Sequence, residues 1–301
     1  MDLEQLETAA CLQVAAALRA ADIVASGKSD IAEIAQACGA NVDALTRVLR
    51  HLVSKGYFEE PSPGRFVMND AARGLTGLFG RMTGAWATFL DTVRTGRPAY
   101  DFWADLAAHP EIDAEFDALM GPSGHGVSDP DILLTDDEWR SVRTFVDVGG
   151  GTGAMIAEVL RDRPWIRGIL VDRPATIERA RQSAYSDRVT YVAQSFFDPL
   201  PRGGDIYLIS KTLGDWGDAD AVKLLRRLAE AASPAGRIVI AGGVTGADRA
   251  SLELLMLALV GGKSWTLPEF TDLARKAGLE IVRAGTQKSN RYVVICKPVA
   301  A

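Results

Sequence analysis

Apolar residues along this chain recur first at helical spacing and then, from Val142 onward, in short runs. Within residues 1–75 an Ala/Leu-rich segment runs from Leu6 to Ala21, and a second helix is predicted over 30–37, with Asp30 at its capping position. A third covers 41–55, where Val42, Leu45, Val48, Leu49 and Leu52 are spaced i, i+3, i+4 and mark one buried stripe. Residues 57–68 read as a β-hairpin turning at Pro61, Pro63 and Gly64. Three helices followed by a hairpin make a winged helix. Residues 80–140 are helical and rich in aromatic side chains, among them Trp86, Phe89, Tyr100, Phe102, Trp103 and Phe116, with Met120. Such side chains either fill a core or wall a pocket for a flat apolar ligand. Beyond Val142, strands are predicted over 143–148, 168–172, 189–194, 205–210, 236–241, 279–286 and 291–297, with helices between most of them. That alternation marks a doubly wound α/β sheet. The expected division is a winged-helix domain over 1–75, a helical pocket-forming segment over 76–140 and an α/β domain over 141–301.

Composition narrows the class without naming a chemistry. The 301 residues leave room for one large domain and a smaller one, and 48% hydrophobic with 24% charged residues suits a globular chain with a sizeable core. A winged helix invites a DNA-binding reading, because the predicted third helix carries Arg47, Arg50, His51 and Lys55. Against it, Asp30, Glu33, Asp43, Glu59 and Glu60 are neighbours, and the net charge is −6, whereas phosphate-backbone recognition needs a basic face. No nucleic-acid partner is therefore expected. Cys11, Cys38 and Cys296 lack paired spacing and read as reduced thiols. His51, His109 and His125 do not stand with acids at ligand spacing, so no metal site is expected. The start of the chain has no basic leader, and no apolar run reaches ~18 residues, which predicts a cytoplasmic protein with no membrane partner.

One run carries chemistry. Phe145, Val146, Asp147 and Val148 end a predicted strand, and Gly149, Gly150, Gly151, Thr152 and Gly153 turn into a helix. Glycines suit such a turn because their backbone N–H groups approach a ligand with no Cβ in the way. The next strand ends in Asp172, nineteen residues after Gly153, where an acid in a nucleotide-binding βαβ unit holds both ribose hydroxyls. A dinucleotide fold uses G-x-G-x-x-G, but the spacing here is Gly149-x-Gly151-x-Gly153 after Asp147. This run resembles motif I of class I methyltransferases that use S-adenosylmethionine (SAM).

The likeness extends nearly end to end. Leu45-x-Arg47-x-Leu49-Arg50-x-Leu52, residues 95–101, Phe116-Asp117-x-x-Met120, residues 147–153, residues 196–201, Asp215-Trp216-x-Asp218 and Gly261-Gly262-Lys263 resemble the plant-type and actinobacterial small-molecule O-methyltransferases. The resemblance implies a Rossmann-like class I methyltransferase sheet behind an N-terminal winged-helix domain that forms a homodimer. It also implies SAM as cofactor, S-adenosylhomocysteine (SAH) as product, and a small-molecule substrate. Carried over residue by residue, Gly149, Gly151 and Gly153 pack against the methionine part of SAM below Asp147, and Asp172 holds the ribose. Ser195 and Phe196 lie beside the adenine, with Ser210 a further cofactor position. Ser195 stands where the family commonly has an acid and is the weaker partner, while Phe196 can stack on the ring. Trp86, Phe116, Met120, Trp216, Glu253 and Met256 are expected to line the substrate pocket.

The catalytic positions depart from the family. Its His-Asp-Trp signature supplies a general base, but here Leu213-Gly214-Asp215-Trp216 puts glycine at that place. Two carboxylates that support the His are replaced by Gly242 and by Ser264-Trp265. The loop between Gly242 and Gly261 is also short for the family. General-base catalysis is worth ~10²–10⁴-fold, and a phenol with a pKa near ~10 stays protonated at neutral pH without such help. Methylation of an unactivated hydroxyl is therefore disfavoured. Acceptors that are already nucleophilic suit a site that works by positioning. Asp215, as a hydrogen-bond partner of the substrate, Lys211, as an orienter of an anionic acceptor, and His125 are the candidate catalytic side chains. Two further readings stand: an enzyme that binds SAM or SAH but catalyses decarboxylation, hydroxylation or pericyclic closure, and a winged-helix DNA-binding protein with a degenerate enzyme domain.

Overall fold

A computed structural model describes residues 2–121, 129–182, 187–232, 234–245 and 253–299. The chain forms two compact units, Met1–Glu115 and Phe116–Ala301.

The first unit begins with α1 (Leu3–Ala17), α2 (Ala20–Ala25), α3 (Ile31–Cys38) and α4 (Val42–Ser54), followed by the hairpin β1 (Phe58–Ser62) and β2 (Arg65–Met68). The hairpin means that this unit is not wholly helical. Asp30 caps α3, its carboxylate accepting from the N–H groups of Ala32 at 2.9 Å and Glu33 at 3.4 Å. Asn41 caps α4 through Ala44 N–H at 3.0 Å. Leu45, Leu49 and Leu52 carry the buried stripe of α4, whereas Val42 lies at the open end of the helix and is exposed. The segment expected as one helix from Leu6 to Ala21 is two. Arg19 adopts a left-handed φ of 56° and pairs with Asp22, and the break turns Ala20, Ala21 and Val24 into the core. The cations of α4 are engaged locally. Arg47 pairs with Asp43, Arg50 with Glu60 and Lys55 with Glu4, and His51 Nε2 lies 2.9 Å from Thr8 Oγ1. Helices α5 (Gly77–Ala85), α6 (Phe89–Thr95), α7 (Phe102–Ala108) and α8 (Pro110–Met120) follow. Because α5 packs on α1, most of the segment expected over 76–140 belongs to this unit.

The second unit holds α9 (Asp136–Ser141), β3 (Thr144–Val148), α10 (Ala154–Arg161), β4 (Arg167–Asp172), α11 (Pro174–Gln182), β5 (Val189–Ala193) and β6 (Ile206–Ser210). It continues with α12 (Asp218–Ala232), β7 (Arg237–Ala241), β8 (Val244–Thr245), α13 (Glu253–Leu259), β9 (Trp265–Thr266), α14 (Leu267–Lys276), β10 (Leu279–Thr286) and β11 (Tyr292–Pro298). Seven strands pair in the order β10-β11-β7-β6-β3-β4-β5. The five from β7 to β5 are parallel, and the β10–β11 hairpin is antiparallel at the edge. Alternate side chains bury on the two faces, as a sheet covered by helices on both sides requires. Val146, Val148, Tyr207, Ile209, Ile238 and Ile240 face one way, and Phe145, Ile206, Leu208, Val239, Val293 and Ile295 the other. From β3 the order runs outward to β4 and β5 on one side and to β6 and β7 on the other. The reversal opens a crevice at the carboxyl ends of β3 and β6, the usual ligand site of such a sheet.

Candidate active site

The turn after β3 forms one wall of that crevice. Gly149 N–H bonds the Val171 carbonyl at 2.8 Å, anchoring the turn to β4. At Gly150, which sequence reasoning passed over, a Cβ would lie 2.5 Å from the Asp147 carboxyl carbon, so only glycine lets the turn cross above that acid. Gly151 does a different job. Its φ is 59°, in the region that favours glycine, and nothing lies within 4 Å of where its Cβ would be. Gly151 N–H donates to Asp172 Oδ2 at 2.7 Å, and Arg173 N–H donates to Oδ1 at 2.7 Å, which fixes the carboxylate at the end of β4. Gly153 then starts α10.

Two buried acids sit under this loop. Burial first, and then the neighbouring charge of Asp172, lifts Asp147 to about 7. Its Oδ2 has no hydrogen-bond partner among the described residues. Burial also raises Asp172, although its two backbone N–H bonds oppose the shift. Asp117, likewise buried, accepts from Arg179 Nε at 2.7 Å and so joins α8 to α11 beside the same acid. An orphaned carboxylate oxygen next to an open, Cβ-free cradle suits a cationic ligand with an amino-acid end. Asp172 adds acceptors for a ribose.

Aromatic rings form a second wall. Phe196 lies 5.1 Å from Phe197 and 5.8 Å from Trp216, centroid to centroid, and Lys223 Nζ sits 4.8 Å over the Phe197 ring. Ser195 is exposed, and its Oγ accepts from Phe197 N–H at 3.2 Å.

The third wall is the segment after β6. Thr212 Oγ1 is 3.4 Å from the Gly149 carbonyl, so this segment touches the glycine turn. Ser210 Oγ accepts from Arg291 Nη1 at 3.3 Å. Lys211 is not the solvated lysine that a loop position suggests: its Nζ is buried and has no hydrogen-bond partner among the described residues. Burial first, and Arg291 second, bring it down to about 8. A short turn, Leu213–Asp215, leads to Asp215, whose carboxyl burial alone lifts to about 7. A Cβ on Gly214 would meet Gly243 Cα at 3.4 Å and the Lys263 carbonyl at 3.6 Å, and a Cβ on Gly262 would stand 2.1 Å from the Gly214 carbonyl. Gly214 is thus floored by backbone.

The remaining candidates are spread out. Phe116 and Met120 lie at the end of α8 and are half-buried; Met256 is on α13, where its carbonyl accepts from Gly262 N–H at 3.3 Å. Glu253 opens α13. Trp86 belongs to the first unit and meets Phe89 edge-on at 4.8 Å. His125 and most of the loop between Gly242 and Gly261 lie outside the described residues. Among the described residues no group of three or more His, Cys, Asp or Glu could hold a metal ion, and no helix is long and apolar enough to cross a membrane.

Two family descriptions cover most of the chain: an O-methyltransferase dimerisation domain matches residues 4–77 and an O-methyltransferase domain residues 86–280. This chain belongs to the O-methyltransferase family. It is 36% identical to a 2,7-dihydroxy-5-methyl-1-naphthoate 7-O-methyltransferase of Streptomyces carzinostaticus, with 93% of this chain and 91% of that protein covered. It is 34% identical to aclacinomycin 10-hydroxylase RdmB of Streptomyces purpurascens, over 96% of this chain and 85% of that one. Among solved structures, the neocarzinostatin-biosynthesis O-methyltransferase NcsB1, in complex with SAM and 2-hydroxy-5-methyl naphthoic acid, superposes with a TM-score of 0.70. That pair is 33% identical, with 99% of each chain covered. The family, the two-part architecture and SAM as cofactor follow. Residues 4–77, within the first unit, are the family's dimerisation domain, and the substrate is a small molecule.

Proposed function

We propose that this methyltransferase alkylates an acidic hydroxyl on an aromatic, polyketide-like specialised metabolite, and that it does so by positioning, without the family's His base. The observation that carries the reading is the backbone floor at Gly214, beside an Asp215 whose carboxyl titrates near neutrality. Bound SAM supplies an electrophilic methyl group on a sulfonium. Asp147 and Asp172 would hold its cationic and ribose parts, and Phe196 would stack on the adenine. Asp215 accepts a hydrogen bond from the acceptor hydroxyl and holds its proton as charge develops on the oxygen, and orientation alone is worth several kcal/mol. Phe116, Met120, Trp216, Glu253 and Met256, all of the second unit, are the proposed pocket residues. We place the reaction in the cytoplasm of a homodimeric protein and assign no nucleic-acid, membrane or metal partner.

The test is the dependence of rate on acceptor acidity. At pH 7, bicyclic phenols of falling pKa should be methylated progressively faster, because a carboxylate that titrates near 7 is a weak base for a phenol. Equal rates across the series would show that a strong base operates after all.

A second reading is favoured by the aclacinomycin 10-hydroxylase relative: hydroxylation with SAM retained. It differs in the fate of the methyl group.

A further inference from the structure

Two cations stand at the carboxyl edge of the sheet with no acid paired to them among the described residues. Lys211 follows β6 with a φ of 62°, a conformation that a non-glycine residue seldom takes and that clusters at functional sites. Its ammonium is buried and lacks a hydrogen-bond partner among the described residues. Arg291 precedes β11. It reaches across the end of β7 to Ser210, at 3.3 Å, which makes a neutral hydroxyl its hydrogen-bond partner. Neither side chain forms an ion pair among the described residues. Arg291 is the charged group that acts on Lys211, and it repels it. Guanidinium stays charged in proteins, and at pH 7 most of the lysine is still protonated. A buried ammonium beside a second, part-buried cation is costly without a counter-charge. Such an arrangement in a cleft points to a ligand that supplies one.

Its place narrows the ligand. Lys211 is followed by Thr212, which touches the glycine turn, and Asp215 lies one tight turn further on. The cation pair therefore borders both the cofactor turn and the vacated base position. One lysine and one arginine match a single planar anion, for which the guanidinium fork is shaped. Asp215 nearby disfavours a dianion.

We propose that Lys211 and Arg291 form the receptor for a carboxylate carried by the aromatic acceptor, so that the substrate class is a hydroxylated aromatic acid. The inference rests on the methyltransferase reading for the acceptor hydroxyl alone. The amino-acid carboxylate of SAM is the other carboxylate in the site, and the test separates the two.

The experiment is titration calorimetry on the full-length, SAH-loaded protein with 2-hydroxy-1-naphthoate and with 2-naphthol, which lacks the carboxylate. Wild type should bind the acid at least about tenfold more tightly. Lys211→Ala and Arg291→Ala should each erase that preference while SAH affinity stays within about twofold. At pH 8.5, in buffers of different ionisation enthalpy, binding of the acid should take up about three-quarters of a proton as Lys211 recharges. Lys211→Arg should keep the preference and lose the proton uptake, a signature that a merely structural lysine would not give. Equal affinity for the two probes, no binding of the acid, or no proton uptake by wild type overturns the inference. So does a loss of SAH affinity in step with the preference, which assigns the cations to the cofactor. Methyl transfer to 1-nitro-2-naphthol, an acidic naphthol without a carboxylate, measured on the same preparations, tells failure of this inference from failure of the methyltransferase reading.

Discussion

Asp147→Asn should make the ligand-free protein more stable, and by an amount that grows with pH. In the folded chain burial and Asp172 hold the Asp147 carboxyl near 7, against 3.8 for the free group. The unfolded chain releases this proton near 3.8, while the folded chain keeps it until about 7. Between those values the folded state binds more protons, so stability falls as pH rises from about 4 to about 7 and is level beyond. A tenfold change in proton affinity is worth about 1.4 kcal/mol, so holding this proton to about 7 costs the folded wild type about 4 kcal/mol at pH 8 but only about 2 kcal/mol at pH 5. An isosteric amide has no proton to lose and does not repel Asp172. Against a typical total stability of about 5–15 kcal/mol, the difference is large. Urea unfolding of both proteins without cofactor, at pH 5 and pH 8, reads it directly. The variant should lead by about 2 kcal/mol more at the higher pH. At pH 8, where the wild-type carboxyl is ionised, the variant should also bind SAM more weakly, because that negative charge is gone. Parallel stability profiles for the two proteins would refute the claim that Asp147 is held protonated under the glycine turn.

Gly151→Val should abolish SAM binding in calorimetry, since the position needs a φ of 59° and its Cβ would enter the open cradle; unchanged affinity would remove the turn from the cofactor site. For Asp215, kcat/KM of wild type should rise between pH 6 and 8 as the carboxyl ionises through about 7, and Asp215→Asn should flatten that limb and cost about 10²-fold, within the usual range for general-base help. Gly214→His should fold, because the new Cβ meets its nearest neighbour at 3.4 Å, yet should not bring methylation of an unactivated phenol such as 2-naphthol up to the rate of an acidic one. Gly242 and Ser264 leave that imidazole without carboxylates to orient it, and a large gain in a methylation assay would show that the missing base alone sets the acceptor range.

The α/β unit was legible because its central strands β3, β6 and β7 are buried on both faces and read as largely apolar runs; all seven strands of the large sheet lie within a residue or two of their expected limits. The cofactor turn was legible because glycines and strand-end acids occur together in a spacing that few other structures use. What escaped was long-range. Arg291 meets Ser210 from 81 positions away, and nothing around it in sequence marks it as a site residue. Lys211 was a candidate from its place after β6, but neither its left-handed backbone nor its buried ammonium has a local signal. Gly150 is demanded by the Asp147 side chain beneath it rather than by the turn. The helix break at Arg19 is tertiary as well: good helix-forming residues gave way to the burial of Ala20 and Ala21.

The fate of the methyl group tests the central claim most directly. The protein would be incubated with SAM bearing a deuterated methyl group and with 4-hydroxy-3-nitrobenzoate, whose nitro group makes the hydroxyl acidic, and the products weighed by mass spectrometry. The account predicts SAH and aromatic product in equal amounts, with the intact labelled methyl on the acceptor oxygen. Turnover of the aromatic acid to an oxidised or decarboxylated product, with SAM recovered whole, would contradict it and assign the site to chemistry of the hydroxylase kind.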